Sequence, residues 1–405
     1  MNTKKIKVKK TFSPKHKFCC GCSREKSLLV KSSKKRLNTE MRTQSYKKYI
    51  SRFNDSVKDK FDKYSSSSPS VIKDKNILIT GGTGSIGRTI LEHILLHEPK
   101  HVVLLNRDQH RQLEMQKFYR KRSNIEFQLG DVRNLNTMMN VCKNKDVIFH
   151  TAALKDVVLD ELNPSESIET NVIGTRNLIY AAVERKAKRV VNISTDKAVY
   201  PTSVLGGTKM LAERLITDAS RHQKDTIFCN VRFGNVVGSS GSVIPVLVNK
   251  IRKKRTVAIT DPDMTRFMMT LDDAVQLVLH AAAISMGGET MVLKMKAVRI
   301  GNLIEGIKSV VAQNDGFDLK RVKTKIIGSR NGEKTHEMLL SKEELTHVVE
   351  TNDFLIYNQN FTQTQNGTFD QKWIYSNTVE QFSWSEICKI VSDHLEQDEK
   401  RIASN

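Results

Sequence analysis

Two periods of apolar residues follow each other along this chain, and the change from one to the other marks its elements. Short apolar runs typical of buried strands occur at 76–80 (NILIT), 101–105 (HVVLL), 125–132 (IEFQLGDV), 146–153 (DVIFHTAA) and 189–195 (RVVNIST). Apolar residues at helical spacing lie between them, as in RTILEHILLHE and NVIGTRNLIYAAVERK. Strands that alternate with helices predict an α/β fold with a doubly wound, parallel sheet.

The first 70 residues lack this alternation, so we predict that they form a separate extension. Aromatic and aliphatic residues recur every three to four positions over 46–64, which predicts an amphipathic helix with lysines on its other face. The stretch SSSSPS at 65–70 has the composition of a linker. We expect the helix to pack on the main domain, with nucleic-acid or membrane contact as the alternative.

Charge also separates the N-terminal part from the rest. Residues 1–75 contain 22 lysines and arginines against 6 acidic residues, a net charge of +16 out of +22 for the whole chain. Such a segment suits nucleic acid, an anionic membrane surface or an acidic partner. A solubilising tail explains the same charge equally well.

The cysteines and the hydropathy limit the class of protein. Cys19 and Cys22 form one Cys-x-x-Cys pair, but no second pair follows, so the ligand set of a zinc ribbon is incomplete and we predict no metal centre. The isolated cysteines suit reduced thiols. No apolar run reaches the roughly 18 residues that span a bilayer. We therefore expect a cytoplasmic protein without a transmembrane segment.

A glycine-rich turn follows the first strand. In GGTGSIG, Gly81 permits the tight turn, Gly84 lets a pyrophosphate approach the backbone, and Gly87 allows close packing of helix on strand. The start of the helix then faces the phosphates. Because the motif lies between a strand and a helix, it predicts a dinucleotide site. We assign the turn residues Thr83, Ser85 and Ile86 to the same site.

The ends of the next strands refine the choice of cofactor. Arg107 ends the second strand, where a guanidinium suits the 2′-phosphate of NADP, although the adjacent Asp108 keeps NAD possible. We place four further strand-end residues along the cofactor, and strand-end packing is the alternative for each of them. They are Asp131, Val132, Ala152 and Ala153.

Residues 75–345 resemble a known family. The stretches NILITGGTGSIG, HTAALKDVVLDELNPSESIETNVIGTRN, STDKAVYPTSVLGGTK, RFGNVVGSSGSVIPV, DPDMTRFMMT and GEKTHEMLLS resemble the extended short-chain dehydrogenases that act as UDP-N-acetylglucosamine 4,6-dehydratases, the CapD-like branch of polysaccharide biosynthesis. The resemblance covers about two-thirds of the chain. It implies a nucleotide-sugar substrate, UDP-N-acetylglucosamine, and a homo-oligomer.

The resemblance also implies a division of the chain. It predicts an NADP-binding Rossmann domain over 71–231, an interleaved, smaller nucleotide-sugar lobe over 232–345, and a C-terminal segment with a closing helix over 346–405. By the same resemblance Asn171 belongs to the cofactor site.

Catalytic roles follow from the Thr-Asp-Lys element of that family. Asp196 is implied as the acid at sugar C6, Lys197 as the base at C5, and Thr195 as a hydrogen-bond partner near the C4 oxygen. Lys209 would hold the nicotinamide ribose. The usual tyrosine, four residues before this lysine, is replaced by Leu205. Tyr200, nine residues before Lys209 and followed by proline, is a poor positional substitute.

The substrate contacts are predicted from scattered positions. They are Lys155 after the fourth strand, Asn235 in RFGNVVGSSGS, Arg266 in MTRF as a bidentate phosphate ligand, and Arg330 and Glu333 before a helix-like HEMLLSKEEL. Surface salt bridges are the alternative for Arg330 and Glu333.

Three functions remain open at this point. The first is a UDP-N-acetylglucosamine 4,6-dehydratase, with or without inversion at C5. The second is a UDP-hexose 4-epimerase, which needs no acid at C6. The third is a non-catalytic, NADP-sensing binding protein whose basic N-terminal arm contacts nucleic acid.

Overall fold

Parallel strands alternate with helices along most of the chain, as the apolar runs predict. The structure is a computed structural model that describes residues 68–239, 242–254, 256–319, 322–330, 332–351, 354–361 and 371–403. The predicted helix over 46–64 and the Cys19–Cys22 pair lie outside these residues. All described residues fall within one compact unit, Tyr49–Asn405.

The elements begin and end close to the predicted limits. The strands are β1 (Asn76–Thr80), β2 (His101–Asn106), β3 (Ile125–Leu129), β4 (Val147–His150), β5 (Arg189–Thr195), β6 (Ile227–Phe233), β7 (Asn235–Val236), β8 (Thr256–Ile259), β9 (Thr265–Met269), β10 (Thr290–Leu293), β11 (Ala297–Arg299), β12 (Lys323–Ile326), β13 (Val348–Glu350) and β14 (Phe354–Tyr357). The helices are α1 (Ser68–Ile72), α2 (Ser85–Ile94), α3 (Gln109–Tyr119), α4 (Leu135–Val141), α5 (Val157–Leu162), α6 (Pro164–Ser167), α7 (Gly174–Glu184), α8 (Val204–His222), α9 (Val243–Lys254), α10 (Leu271–Ile284), α11 (Ile300–Asn314) and α12 (Trp384–Ala403). A π-helix, Ile168–Ile173, leads into α7.

A mostly parallel sheet dominates the described part of the chain. Its strand order is β13-β14-β10-β6-β5-β4-β1-β2-β3, and the strands from β10 to β3 all pair in parallel. Only the edge formed by β14 and β13 is antiparallel. This confirms the α/β class with a doubly wound sheet. The chain order reverses between β1 and β4, and ligands bind such folds in the crevice at the carboxyl ends of those strands.

Burial explains why the apolar runs become central strands. Helices cover both faces of a parallel sheet, so its strands are apolar without alternation. In β5 only the terminal Arg189 and Thr195 are partly exposed. The buried Asn192 within β5 donates its side-chain amide to Asn230 Oδ1 of β6 at 2.9 Å, which satisfies two polar groups inside the sheet.

Apolar clusters stabilise the described residues, and two of them show how the chain is organised. One lies under the large sheet, where residues such as Leu78, Ile148 and Val190 pack together. The other joins α9, α11 and α12 to β8 and β9, and includes Ile251 and Ile307. The closing helix α12 therefore packs in the second core, while β10, β13 and β14 return the chain to the large sheet.

The segment 332–344 differs from its prediction. HEMLLSKEEL was expected to be helix-like, but His336 and Met338 form isolated β-bridges with Thr265 and Tyr375. Only a 3-10 turn, Glu344–His347, follows. One backbone bond, Thr265 N to Thr335 O, joins the segment to β9, and Leu339 N and Glu337 O bond to Ile374 and Ser376. These contacts override the local preference for helix. The predicted linker at 65–70 is likewise wrong at its end, since α1 begins at Ser68.

Candidate functional site

A cavity of about 660 Å³ opens at the carboxyl ends of the central strands. Its wall begins at the glycine turn after β1, continues along the ends of β2, β3 and β4, and reaches Thr195, Lys197 and Asn235. It therefore lies at the reversal of strand order, where the fold predicts a ligand.

The glycine turn is tightly constrained. Gly81 has a φ of +69°, and a Cβ there would lie 2.8 Å from the backbone of Ala152. A Cβ at Gly87 would lie 2.6 Å from the Gly81 carbonyl oxygen, so only glycine lets α2 pack this closely. Gly84 begins α2 without a side-chain cap, which leaves the first N–H groups of the helix facing the cavity with Ser85 and Ile86. Thr83 Oγ1 is held by the Asn106 amide at 2.5 Å.

The end of β2 presents cations to the cavity. Arg107 and Arg111 both line the wall. Asp108, the acidic residue that could bind a ribose, also lines the wall, and its Oδ1 caps α3 by accepting a hydrogen bond from the Arg111 backbone at 3.1 Å. A carboxylate and two guanidinium groups therefore stand together at this corner.

Asp131 at the end of β3 is held by two arginines of unequal closeness. Arg133 Nη2 lies 2.7 Å from its Oδ2, whereas Arg107 Nη1 lies 3.8 Å away. Burial alone would raise the pKa of Asp131, but the hydrogen bonds and charge of Arg133, with a smaller contribution from Arg107, hold it below the ordinary value. Arg107 is thus the less engaged of the two cations. The neighbouring Val132 also lines the cavity.

The residues after β4 divide into wall and support. Ala152 and Ala153 line the cavity, and Lys155 stands at its exposed rim. Partial burial and, to a smaller degree, the charge of Arg111 lower the pKa of Lys155. Asn171 lies outside the wall. Its side chain accepts from Leu154 N at 2.8 Å and donates to Leu154 O at 3.1 Å, so it fixes the loop that the cavity rests on.

The Thr-Asp-Lys element forms a cluster at the end of β5. Thr195 Oγ1 donates to Asp196 Oδ1 at 2.9 Å, and Lys197 Nζ donates to the same oxygen at 3.0 Å. Thr195 and Lys197 line the cavity, but Asp196 has no exposed surface and lies behind them. Its Oδ2 accepts no hydrogen bond from any residue that the structure describes.

Lys209 and Leu205 share the inner face of α8. Lys209 Nζ donates to the Ile193 carbonyl oxygen at 2.6 Å, and burial lowers its pKa to about 8 although Glu213 and Asp160 oppose the shift. Leu205, 4% exposed, occupies the wall one turn away, so no phenol stands there. Tyr200 does not replace it, because its hydroxyl donates to Glu343 Oε2 at 2.6 Å away from the cavity wall.

The predicted substrate residues are only partly brought together. Asn235 lines the cavity and its Oδ1 accepts from Lys197 Nζ at 3.0 Å. Arg266 is 6% exposed and lies outside the wall, with its Nη1 donating to Thr265 O and Thr335 O and its Nη2 to Glu333 Oε1 at 3.3 Å. Arg330 is exposed and also lies outside the wall. In this structure Arg266 and Glu333 therefore bind each other.

Glu337 is the residue near the site that sequence reasoning missed. It is 3% exposed, and its Oε1 lies 3.8 Å from Lys197 Nζ. Its distance of 140 positions from Lys197 gave no local signal. Glu337 belongs to HEMLLSKEEL, which was expected to be helix-like, and the structure forms no α-helix there.

The residues at the wall fit a nicotinamide dinucleotide. The glycine turn leaves no room for a side chain at Gly81 or Gly87, and the start of α2 has no side-chain cap. Arg107 and Arg111 line the wall near the end of β2. In addition, Thr170 Oγ1 and Ser194 Oγ are buried at the wall without a hydrogen-bond partner among the described residues. Buried hydroxyls in a cavity are available to a polar ligand.

Similar proteins agree with this architecture. A family model described as "Polysaccharide biosynthesis protein" matches residues 77–359. A UDP-glucose 4-epimerase of Rickettsia bellii is 39% identical over 287 residues, 69% of this chain and 82% of that protein. An uncharacterized membrane protein of Methanocaldococcus jannaschii is 44% identical over 288 residues, 70% of this chain and 86% of that protein. The X-ray structure of Pen from Bacillus thuringiensis is 38% identical, with a TM-score of 0.75, and covers 80% of this chain and 98% of its own.

None of the helices in the described ranges combines the length and the apolar character needed to cross a bilayer.

Proposed function

Because this chain belongs to the polysaccharide biosynthesis protein family, we propose that it is an NADP-dependent UDP-N-acetylglucosamine 4,6-dehydratase. One observation carries the proposal. Thr195, Lys197 and Lys209 share one cavity wall, with the Asp196 carboxyl directly behind Lys197 and an apolar Leu205 where a phenol would otherwise stand. The product would be a UDP-4-keto-6-deoxy-hexosamine for glycan synthesis.

The cofactor would lie along the glycine turn. When bound, its nicotinamide would accept a hydride from sugar C4 and return it to C6. Gly81, Gly84 and the start of α2 would hold the pyrophosphate, and Arg107 would contact the 2′-phosphate. Lys209 would hold the nicotinamide ribose, since its amine faces the wall from α8.

Elimination of water across C5 and C6 needs a base and an acid. A 4-keto group acidifies the C5 proton, and the Lys197 amine, once neutral, removes it. Oxidation at C4 also releases the proton of the C4 hydroxyl, which Asp196 would take up, and the C6 hydroxyl would leave as water with that proton. Because Asp196 has no surface in the cavity, we propose that this proton passes through Thr195 Oγ1, which is bonded to the carboxyl, while Lys197 keeps the C5 proton and returns it to C5 when C6 is reduced.

The sugar nucleotide would occupy the wall near Asn235. Its amide oxygen already binds Lys197, so it can orient the amine toward the sugar. Lys155 remains a proposed contact at the rim. Arg266 and Glu333 would contact the uridine diphosphate if their mutual pair opened, because the two side chains bind each other. The exposed Arg330 remains a proposed contact outside the wall.

A UDP-hexose 4-epimerase is the second candidate. The similarity to a UDP-glucose 4-epimerase of Rickettsia bellii favours it. Epimerization needs hydride transfer at C4 alone and no proton donor at C6. The buried carboxyl behind Lys197 would then have no proton to deliver at C6.

Proton NMR in deuterated water separates the two activities. The protein is incubated with UDP-N-acetylglucosamine and NADP, and a C6 methyl signal supports the dehydratase. Deuterium at C5, with the coupling constants of the sugar, shows inversion or retention. Interconversion of the GlcNAc and GalNAc forms, or no product from a folded protein, overturns the proposal.

Variants show that the product comes from this site. The double variant Asp196→Asn, Lys197→Met should form no C6 methyl product. Lys389→Met, which changes an exposed lysine on α12, should turn over like the unaltered protein.

A further inference from the structure

We propose that Glu337 is a positioning residue for Lys197: a second carboxyl that fixes the place and the protonation state of the proposed base. The inference rests on the proposed function for its catalytic meaning. Its geometric content, a charge coupling between Glu337 and Lys197, can be tested without turnover.

Lys197 has more oxygen partners than a free base would have. Its Nζ donates to Asp196 Oδ1 and to Asn235 Oδ1, both at 3.0 Å, and lies 3.8 Å from Glu337 Oε1. An ammonium has three N–H donors; the two hydrogen bonds use two of them, and Glu337 adds an ion pair without a hydrogen bond. We therefore expect Lys197 to be charged in the resting cluster. Its contact with Glu337 is the longest of the three and should be the first to break.

Glu337 is surrounded by cations without a hydrogen bond to any of them. Besides Lys197, Arg266 Nε lies 3.9 Å from its Oε1, and Lys334 Nζ lies 3.8 Å from its Oε2. That Oε2 accepts no hydrogen bond among the described residues, although Glu337 is buried. Within the described part of the chain, only charge attraction holds the two oxygens of this carboxyl. A small movement can therefore strengthen its attraction to one neighbouring cation and weaken its attraction to another.

The backbone fixes Glu337 on both sides. Its N–H donates to Ser376 Oγ at 2.9 Å, and its carbonyl oxygen accepts from Ser376 N at 3.0 Å. The flanking His336 and Met338 form bridges to Thr265 and Tyr375. The side chain is therefore presented to Lys197 from a pinned position, as pre-organised chemistry requires.

The same segment is docked on the loop that follows Lys197. Thr202 Oγ1 donates to the Gly332 carbonyl at 2.7 Å, and Lys334 Nζ donates to the Val199 carbonyl at 2.6 Å. A Cβ at Gly332, where φ is +77°, would lie 2.8 Å from the Thr202 carbonyl oxygen. The contact between Glu337 and Lys197 is thus built into the joint between two chain segments.

The charges around Lys197 predict the direction in which each neighbour shifts its pKa. The charged groups facing Lys197 are Asp196, Glu337 and Arg266: burial would lower the pKa of Lys197, but the two carboxyls together raise it. Glu337 is faced by the same groups and by Lys334, and burial, helped by Asp196, raises its pKa against the three cations. Removing the Glu337 charge should therefore lower the pKa of Lys197, and removing the Lys334 charge should raise it.

Competitive acetylation of the full chain with acetic anhydride measures this directly. The pH at which Lys197 is half-reactive is read from its peptide by mass spectrometry. We expect Glu337→Gln to lower that pH by about one unit and Lys334→Gln to raise it. The matched control is Glu350→Gln. Glu350 lies on edge strand β13 and pairs with Lys294, so its removal should leave the half-reactive pH of Lys197 unchanged.

An unchanged half-reactive pH in folded Glu337→Gln overturns the inference. If that variant does not fold, Lys334→Gln decides alone: a rise supports the coupling and no rise overturns it. A shift of the same size in Glu350→Gln would also overturn it, because the effect would then not be local.

Turnover supplies a second readout. If Lys197 acts as the base, kcat rises with pH as its amine loses a proton, and Glu337→Gln should move that rise about one unit lower while KM changes less than about threefold. Failure of the unaltered protein to form a C6 methyl product would reject the proposed function and leave the acetylation result to decide the Glu337 coupling.

Discussion

Two buried ionic clusters, one around Arg232 and one around Lys197, differ in how completely they are bonded. In the first, Arg232 of β6 donates to both oxygens of Glu213 at 3.0 and 2.6 Å, to both oxygens of Glu344 at 2.9 Å, and to the Leu339 carbonyl at 2.8 Å. All five N–H donors of the guanidinium are used.

The second cluster, around Lys197, leaves acceptors unused. Asp196 Oδ2 and Glu337 Oε2 have no hydrogen-bond partner among the described residues, and the ion pairs to Glu337 are 3.8 and 3.9 Å long. Buried charges are expensive unless they are fully bonded. The first cluster is therefore suited to holding the fold together, and the second to moving protons.

The sharpest way to break this comparison is to remove Lys197. We expect Lys197→Met to lower kcat about 10⁴-fold, since it removes the proposed base, and to lower the free energy of unfolding less than Arg232→Met does, because Asp196 keeps its bond from Thr195. Steady-state rates and urea titrations of the same variant measure the two effects. A large loss of stability with a modest loss of rate would assign the cluster a structural role.

Arg232→Met tests the other half. It leaves Glu213 and Glu344 buried without their cation, so we expect the free energy of unfolding to fall by ~4 kcal/mol. Chemical denaturation at neutral pH measures this loss. A fall of less than about 1 kcal/mol would show that the bonded cluster does not hold the fold.

Glu344 and Glu337, one from each cluster, should change the free energy of unfolding with pH in opposite directions. Burial would raise the pKa of Glu344, but Arg232 outweighs it and lowers the pKa, so its contribution to stability is present above the unfolded value of 4.5 and is lost as the pH falls. The pKa of Glu337 is raised, so its ionisation costs stability as the pH rises above 4.5.

Unfolding free energies measured from acidic to neutral pH check both signs. Each pKa unit of difference between the folded and unfolded states changes the free energy of unfolding by ~1.4 kcal/mol in total across the titration. Glu337→Gln should remove the loss on the alkaline side, and Glu344→Gln the loss on the acid side. The same slope in both variants would contradict the assignment.

A smaller pair of arginines repeats the contrast at the cofactor corner. Arg133 is closely bonded to Asp131, and Arg107 only loosely. We expect Arg107→Gln to weaken NADP binding about tenfold and to leave NAD binding unchanged, because it removes a phosphate contact. Titration of both dinucleotides measures the ratio. Equal weakening of NADP and NAD would show that Arg107 does not contact the 2′-phosphate.

Local patterns predict the part of the molecule in which neighbours along the chain act together. The runs NILIT and RVVNIST coincide with β1 and β5, and the glycine turn lies at the predicted strand end. Central parallel strands are buried on both faces, so their apolar character alone identifies them. The fold class follows from that alternation.

Contacts between distant segments were beyond the reach of those patterns. Arg266 looked like a phosphate ligand, but Glu333 and the Thr335 carbonyl accept its hydrogen bonds from 67 and 69 positions away. The helical spacing in HEMLLSKEEL was overridden by bridges to β9 and to Tyr375. Asp196 was expected at the substrate, but the side chains beside it cover it completely.

Arg232 has a consequence for how the molecule opens. A strand of the sheet, helix α8 and the turn at Glu344 all meet at one side chain. The segment that carries Glu337 therefore cannot detach alone, because its release would strip partners from a charge inside the sheet. Amide protons there should exchange with solvent at the slow pace of global unfolding, not at that of a surface loop.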